Sequence, residues 1–456
     1  MSAALRRSFT SLAVPNYRRY FAGQIVSLSG NWMQVVAEMW LVLTLTGSGL
    51  AVGVTSALQF LPLLLFGAWG GLLADRLPKR TVLTVTQALM ALPALILGVV
   101  TLGGAVQPWM VFALVFTRGL VNSVDNPTRQ SFAIEMVGAD RVVNAVSLNS
   151  VLIHSARIIG PAGAGIVIAT LGVGPCFLLN AASFAAMLVA LRAMDPSELR
   201  PAPAAARRQP GAVRAAVRYV IRTPALTIPL GMMAVVGTLG YNFQVILPLL
   251  ARFSFDGGAA TYTALAVAMG AGSVIGALAA GAHGRVGPRL LIAAAFGFGS
   301  AALVAALAPT LPLEMAVLVP LGAASVTFAA GVNSSLQLAA EPAMRGRVMA
   351  LYSMVFLGSA PIGGPIAGWL GESVDPRAAL VLTGVAGLTA AIGAWIAFQR
   401  QAAARTAGSR PAGRPRRWVA SFSAIPGEFA RRPPVAAEAD DPPASDRGRA
   451  RVSEPA

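Results

Sequence analysis

The stretch GGLLADRLPKR, Gly70–Arg80, sets one carboxylate and three cations between two long apolar runs. Each run is long enough for a helix to cross a bilayer, which takes about 20 apolar residues. The stretch therefore reads as the turn between two membrane-spanning helices. Working outward, apolar stretches of that length begin near Tyr20, Leu50, Thr81, Pro108, Asn144, Gly174, Leu226, Ala259, Arg289, Leu313, Val348 and Pro376. Hydrophobic residues fill 56% of the 456 positions and charged ones only 12%, against about 25% charged in a soluble domain. The expected fold class is an all-α integral membrane protein of twelve transmembrane helices, in contact with the lipid bilayer along most of its length.

The formal charge of +17 would suggest nucleic acid in a soluble protein, but its placement says otherwise. Arg6, Arg7, Arg18 and Arg19 precede the first span, Arg76, Lys79 and Arg80 follow the second, and Arg129 and Arg141 follow the fourth. Arg200 to Arg222 follow the sixth, Arg285 and Arg289 the eighth, Arg345 and Arg347 the tenth, and Arg400 onward the last. Arg252 and Arg377 are the exceptions at the intervening junctions. Basic residues stay on the cytoplasmic side, so both termini are expected there and no nucleic-acid partner is. Abundant Ala and Arg with a single lysine suggest a bacterial inner or plasma membrane.

The segment Asp195–Thr223 interrupts the apolar rhythm with Pro201, Pro203, Arg207, Arg208 and Pro210 and divides the spans six and six. The expected domains are a six-helix bundle over 1–194, a cytoplasmic linker over 195–225, a second six-helix bundle over 226–399 and a basic, Pro-rich tail over 400–456. The tail's composition cannot bury a core, so disorder is expected there. Within the linker, AVRAAVRYVIR sets Arg214, Arg218 and Arg222 four residues apart beside Val213, Val217, Val220 and Ile221, the pattern of a helix lying on a membrane surface. The halves also look like weak copies. Gly30 and Gln34 recur as Gly240 and Gln244, Asn126 and Gln130 as Asn333 and Gln337, and Gly160 and Pro161 as Gly364 and Pro365, at offsets of 210, 207 and 204. Three ordered matches at nearly one offset predict two pseudo-symmetric bundles with a site between them.

No phosphate loop of the form G-x-x-x-x-G-K-[ST] is present, so the chain does not hydrolyse nucleotide itself. Energy must come from an ion gradient. No His, Asp or Glu pair has metal-ligand spacing and Cys176 is the sole cysteine, so no metal, cofactor or disulfide is expected, and the chain does not read as an enzyme. No short apolar region with a small-residue cleavage site follows Arg6 and Arg7, so no removable signal peptide is expected.

Charges inside a bilayer cost at least ~2.5 kcal/mol at mid-depth and tend to be functional. Arg118 lies near the middle of the fourth span, and Arg157 is similarly deep in the fifth with His154 one turn away. Glu38 is the one acid set within a span, toward the far end of the first. A carboxyl there can take a proton from one side and release it to the other, because burial opposes its charge and a nearby arginine supports it. A static ion pair to Arg118 or Arg157 is the competing reading, although rise per residue puts Glu38 and Arg118 roughly 10 Å apart along the membrane normal. For Arg157, a packing clamp onto backbone carbonyls competes with a functional role.

Polar residues with no reason to face lipid, namely Gln24, Asn31, Gln34, Gln59, Tyr241, Asn242 and Gln244, are expected with Arg157 to line a substrate cavity, or else to bond between helices. Trp32, Met33, Phe243 and Met354 add adaptable apolar surface suited to a lipophilic or amphipathic small molecule. Two embedded arginines against one carboxylate hint at an anionic cargo.

Gly71, Leu73, Ala74, Asp75, Arg76 and Arg80 resemble the G-x-L-a-D-r-x-x-x-R signature between helices 2 and 3 of the major facilitator superfamily, with Pro78 where that family commonly has glycine. The segments FAGQIVSLSGNWMQ, LTGSGLAVG, DNPTRQSFAIEMV, NAVSLNSVLIHSARIIGPAGAG and MALYSMVFLGSAPIGGPIAGW resemble the branch holding siderophore and macrolide exporters. The resemblance implies that Asp75, Arg76 and Arg80 form a charge latch at the N-terminus of the eleventh helix, closed when the transporter faces outward, with Asp125 as a partner for the loop's cations. It also implies a part for Arg118 in proton coupling. Gly160, Pro161, Gly163 and Gly165 resemble the glycine-proline signature of the superfamily's exporters, with Ala164 in place of a second glycine, and Gly364, Pro365 and Gly368 would supply the matching helix bend. The function so implied is a proton-coupled antiporter that exports a drug, siderophore or secondary metabolite by alternating access and works as a monomer. A non-transporting membrane scaffold or sensor of the same fold, docking a partner through its tail, and an importer of the same superfamily are the alternatives.

Overall fold

A computed structural model describes residues 10–199, 212–283 and 287–407; Arg6, Arg7, the linker from Arg200 to Pro210, Arg285 and the tail beyond Ala407 lie outside the described residues. The described residues form helices and turns, with no strand. The first six helices are α1 Pro15–Thr46, α2 Gly49–Arg76, α3 Lys79–Leu102, α4 Pro108–Val137, α5 Val142–Leu171 and α6 Gly174–Arg192. A short helix follows, α7 Ala212–Arg222. The remainder comprises α8 Pro224–Gly240, α9 Phe243–Leu249, α10 Ala259–His283, α11 Pro288–Ala306, α12 Leu311–Ala339, α13 Pro342–Gly358, α14 Ala360–Ser373 and α15 Pro376–Ala407. The last helix thus runs past the expected start of the tail at 400.

Among the described residues, ten segments are long and apolar enough to cross a membrane, with Pro224–Ser254 and Met344–Ser373 each counted as one. α1 and α4 are not among them, although they have 32 and 30 residues. These two carry Glu38, Arg118, Asp125 and Glu135, all buried. The outer surface is apolar where it meets no other helix: Ile166, Val189, Leu278, Phe296, Ile392 and Trp395 all stand exposed. A soluble protein rarely shows so much, and lipid is the solvent that suits it.

Local chemistry sets the connections. At the signature turn only Leu77 and Pro78 separate α2 from α3. Leu77 is extended (φ −105°, ψ 155°), the conformation a following proline imposes, and Pro78 (φ −58°) heads α3, where no intrahelical donor is needed. α1 ends on Gly47 at φ 64°, a left-handed cap whose N–H returns to the Leu43 carbonyl.

Two expected spans are broken. The seventh stops at Gly240 and resumes at Phe243, because the Asn242 side-chain amide donates to the Thr238 carbonyl at 2.8 Å and occupies the acceptor that a continuing helix would use. The eleventh breaks at Ser359, next to Pro361, which cannot continue the preceding helix. The residues of the expected bends lie within continuous helix: Pro365 is inside α14 and Pro161 inside α5.

α1 packs on α6, α3 on α6 and α4, and α2 on α4; α8 packs on α15, α11 on α15 and α12, and α10 on α12. The second set repeats the first. Across the two sets, α2 lies along α14 and α5 along α10. A shared apolar core holding Met33, Trp40, Val236, Phe298 and Phe328 fills the middle, and a smaller one around Tyr17, Phe132, Met187 and Leu191 sits near the signature turn. α7 buries Ala216 and Val220 while Arg214, Val217, Arg218, Ile221 and Arg222 face out, and its Tyr219 hydroxyl accepts from the Glu341 N–H at 3.2 Å.

Candidate functional site

Glu38 on α1 is 1% exposed and Arg118 on α4 is 5% exposed. Arg118 Nη2 donates to Glu38 Oε2 at 2.7 Å and Nη1 donates to Asn31 Oδ1 at 2.9 Å. Gln34 Nε2 donates to the other carboxylate oxygen at 2.7 Å, Asn180 Nδ2 on α6 donates to Gln34 Oε1, and Ser183 Oγ donates to Asn180 Oδ1 at 2.8 Å. Three helices thus deliver one continuous polar chain. Gly30 permits it, since a Cβ there would lie 2.6 Å from Asn180 Oδ1.

The expected 10 Å separation of Glu38 and Arg118 is corrected to direct contact. Cα–Cβ bonds tilt toward each helix's own N-terminus, and α1 and α4 run in opposite directions, so the two side chains lean toward each other. Asn180 escaped the sequence reading altogether, although a lone asparagine in an apolar span is a signal.

At the signature turn the cations are spoken for separately. Lys79 Nζ donates to Glu135 Oε1 at 2.5 Å. Arg80 donates to the Leu191 and Arg192 carbonyls at 2.8 and 3.1 Å, satisfying the bare C-terminus of α6. Asp125 does not reach them. It pairs with Arg129 four residues on and accepts from Thr86 Oγ1 at 2.6 Å and Gln87 Nε2 at 2.9 Å, because α3 and α4 enclose it at 1% exposure. Asp75 and Arg76 stand exposed, and Asp75 makes no ion pair or hydrogen bond among the described residues. Gly71 is buried on the same turn of α2.

At the opposite end the two sets of helices are in contact. Glu372, at the end of α14, accepts from Ser48 Oγ at 2.7 Å and from the Leu50 N–H at 2.9 Å, which places a carboxylate on the N-terminus of α2. A Cβ on Gly53 would overlap the Gly364 carbonyl oxygen, one on Gly368 the Gly49 carbonyl oxygen, and Trp40 stacks on Tyr262 at 6.3 Å. On α5, a Cβ on Gly165 would lie 2.5 Å from Thr263 Oγ1 of α10, and one on Gly160 would overlap Trp32 Cβ and lie 2.9 Å from the Ser29 carbonyl oxygen. Gly160→Val is accordingly expected to cost about 1–3 kcal/mol of overpacking. Gly163→Ala, with only Met33 Sδ near at 3.9 Å, should leave the melting temperature in detergent at or slightly above the wild-type value. Equal melting of the two variants would refute the α1–α5 contact.

Of the residues expected to line a cavity, Gln24, Gln34 and Asn242 are buried and tied into other bonds. Gln24 donates to the Tyr20 hydroxyl at 2.5 Å and accepts from Arg129, Gln34 serves Glu38, and Asn242 caps α8. Burial between helices outweighs the cavity reading for these three. Asn31 is half-buried against Arg118, and Tyr241 donates to the Ser325 carbonyl at 2.8 Å. Gln59, Arg157 and Gln244 remain half-buried, each with one side-chain polar atom lacking a protein partner.

Glu38 is also not alone as an embedded acid. Glu314, in the first turn of α12, is 1% exposed and its Oε1 has no partner. Its place at the edge of an apolar run made it look like a junction residue.

A family described as transmembrane secretion effectors matches residues 6–415. The chain is 30% identical to the staphyloferrin A transporter of Staphylococcus aureus over 174 residues, 38% of this chain and 44% of that protein, and so spans less than half the length of that relative. It is 23% identical to macrolide efflux protein A of Streptococcus pyogenes over 367 residues, 75% of this chain and 86% of that one. Among solved structures, the nucleoside transporter NupG superposes with a TM-score of 0.67 at 13% identity, over 84% of this chain and 99% of that one, which shows the fold. The chain belongs to the transmembrane secretion effector family, within the major facilitator superfamily of transporters.

Proposed function

We propose that the chain is a secondary active antiporter that exports a small lipophilic or amphipathic compound in exchange for protons, by alternating access of two six-helix bundles over 1–194 and 226–399. The observation that carries this reading is the Glu38–Arg118 pair: a carboxylate at 1% exposure whose two oxygens are both held by side chains. Such a group can alternate between an ion pair and a neutral acid as its surroundings change. α1 and α4 complete the twelve spans, because their charges face each other and not lipid. Their 32 and 30 residues reach about 45 Å, more than the roughly 30 Å of hydrocarbon. Export, as opposed to uptake, is supported by Gly160, Pro161 and Gly165 on α5, with Gly160 packed on α1 and Gly165 on α10, and by the macrolide efflux relative.

Both termini and α7 lie on the cytoplasmic side of a bacterial cell membrane, and α7 rests its arginines on anionic headgroups. The contacts at Glu372, Gly53 and Trp40 then close the outer end, so this is the inward-facing member of the cycle. Asp75 is free because its latch, with Arg76 and Arg80 beside it, engages only when the inner end closes. Asp75→Asn is expected to slow turnover about 2- to 10-fold, the worth of a carboxylate at a helix N-terminus, with cargo affinity unchanged. Turnover and affinity moving together would refute a purely conformational role.

Purified protein in proteoliposomes, loaded with a panel of lipophilic drugs and siderophores and with a pH-sensitive dye, tests the function directly. An imposed pH gradient should drive cargo movement with a matched proton counterflow. Cargo flux indifferent to that gradient would overturn the reading.

A further inference from the structure

Among the described residues, Arg157 is a cation deep in a span that no carboxylate pairs. Arg118 is matched by Glu38, Arg129 by Asp125 and Lys79 by Glu135. Arg157 has no carboxylate and no hydrogen bond among the described residues, and its Nε is buried without a partner. A packing clamp onto backbone carbonyls is therefore not what holds it. Its one organised contact is aromatic, with the guanidinium carbon 5.1 Å from the centroid of the Trp32 ring. That contact leaves the outer edge of the guanidinium fork open.

The surroundings form one cluster on the seam between the bundles. His154, Arg157 and Gly160 follow each other at three-residue steps on one face of α5. Gly160 abuts Ser29 and Trp32 of α1, themselves three residues apart. From the second set of helices, Gly270 of α10 brings its Cα against the Arg157 carbonyl, where a Cβ would lie 3.1 Å away, and Tyr241 lies within electrostatic range. Ser29 Oγ and His154 Nδ1 are buried without partners, as Arg157 Nε is. Tyr241 presents its ring edge-on to Phe298 and Phe356, and Phe356 stacks on Tyr352 at 5.8 Å. An unpaired cation stacked on Trp32, with orphaned polar atoms and the Tyr241 cluster in the same region, is complementary to an acid carrying an apolar body.

We propose that Arg157 is the anion anchor of the transport site and that the cargo is an amphipathic organic acid whose carboxylate docks on the Arg157 guanidinium. The planar fork takes a carboxylate through two parallel hydrogen bonds, and the apolar body packs on Trp32 and the Tyr241–Phe356 wall. Docking cancels the leftover charge, so the complex that rocks between states is neutral at the seam. This inference rests on the antiporter reading for its transport meaning.

Binding can be measured without a gradient. Full-length protein in detergent is titrated by calorimetry with 1-naphthylacetic acid, with its neutral amide and with sodium chloride, using wild type, Arg157→Gln and Arg157→Lys. The acid should bind wild type at least tenfold tighter than the amide does. Arg157→Gln should bring the acid down to the amide's level, with a cooperative melting transition showing that the variant is folded. Arg157→Lys should keep part of the preference. Equal affinity for acid and amide, a preference that survives Arg157→Gln, chloride competing as well as the acid, or no acid binding at millimolar concentration would each overturn the proposal. Acid preference without proton-driven flux would retain the anion site and remove the antiporter reading; proton-driven export without acid preference would do the reverse.

Discussion

Glu38→Gln is expected to reduce proton-driven efflux to the background leak of the vesicles, while exchange of cargo across the membrane without a gradient continues. The amide matches the shape of the neutral acid, and its single oxygen can accept from Gln34 Nε2 or from Arg118, which reach different carboxylate oxygens at 2.7 Å each in the wild type. It cannot bind or release a proton, so the exchange loses its second partner. Removing one member of a buried pair also leaves the other charge uncompensated, at about 3–5 kcal/mol, and a melting temperature several degrees lower should accompany the loss. The double variant Glu38→Gln/Arg118→Gln separates the two effects. It should recover much of the stability and none of the coupling, a non-additivity expected of residues in contact. Wild-type proton flux in Glu38→Gln would remove this carboxylate from the mechanism.

The second large effect is expected at Gly53. A Cβ there would overlap the Gly364 carbonyl oxygen and lie 2.8 Å from Pro365 Cα, and backbone has nowhere to retreat. Gly53→Val should therefore block closure of α2 on α14. On the proposed alternating-access cycle the contact belongs to the state with the outer end shut, so the substitution should act on that state alone. An overpacking cost of about 3 kcal/mol shifts that equilibrium more than 100-fold, since 1.4 kcal/mol is tenfold. Steady-state transport should cease while the protein still melts cooperatively, and the Ser48 and Leu50 bonds to Glu372 would be lost with it. Normal transport by Gly53→Val would mean that this seam never needs to close.

Most of the fold was legible because apolar length is a strong signal. Ten segments announce themselves by composition, and α1 and α4 remain readable by length although their buried charges dilute the pattern. The break beside Pro361 follows from proline chemistry. The one at Tyr241–Asn242 does not, since it depends on a side-chain amide capturing the Thr238 carbonyl. The site was legible as residues and not as pairs. Glu38 and Arg118 stood out as embedded charges and their ion pair was the competing reading; the depth count opposed it because the first helix runs on to Thr46, which brings Glu38 nearly level with Arg118. Asp125 was matched to the wrong cations because Arg129, its own neighbour one turn on, competes at shorter range. Glu314 was missed since an acid one turn inside a span looks the same in sequence as one at its rim.

Alternating access can be read from both ends of the molecule at once. Cys176 is buried, so spin labels can be placed on a nearly cysteine-free background. One pair, Ala105→Cys with Ala260→Cys, reports the outer end, and a second, Leu77→Cys with Glu341→Cys, reports the inner end; all four positions are exposed. Electron–electron distance measurements in proteoliposomes, with and without cargo and at two pH values, should show the two pairs moving in opposite directions, the outer distance lengthening as the inner one shortens. Distances that stay fixed at both ends, or that lengthen together, would contradict two bundles rocking about a central site.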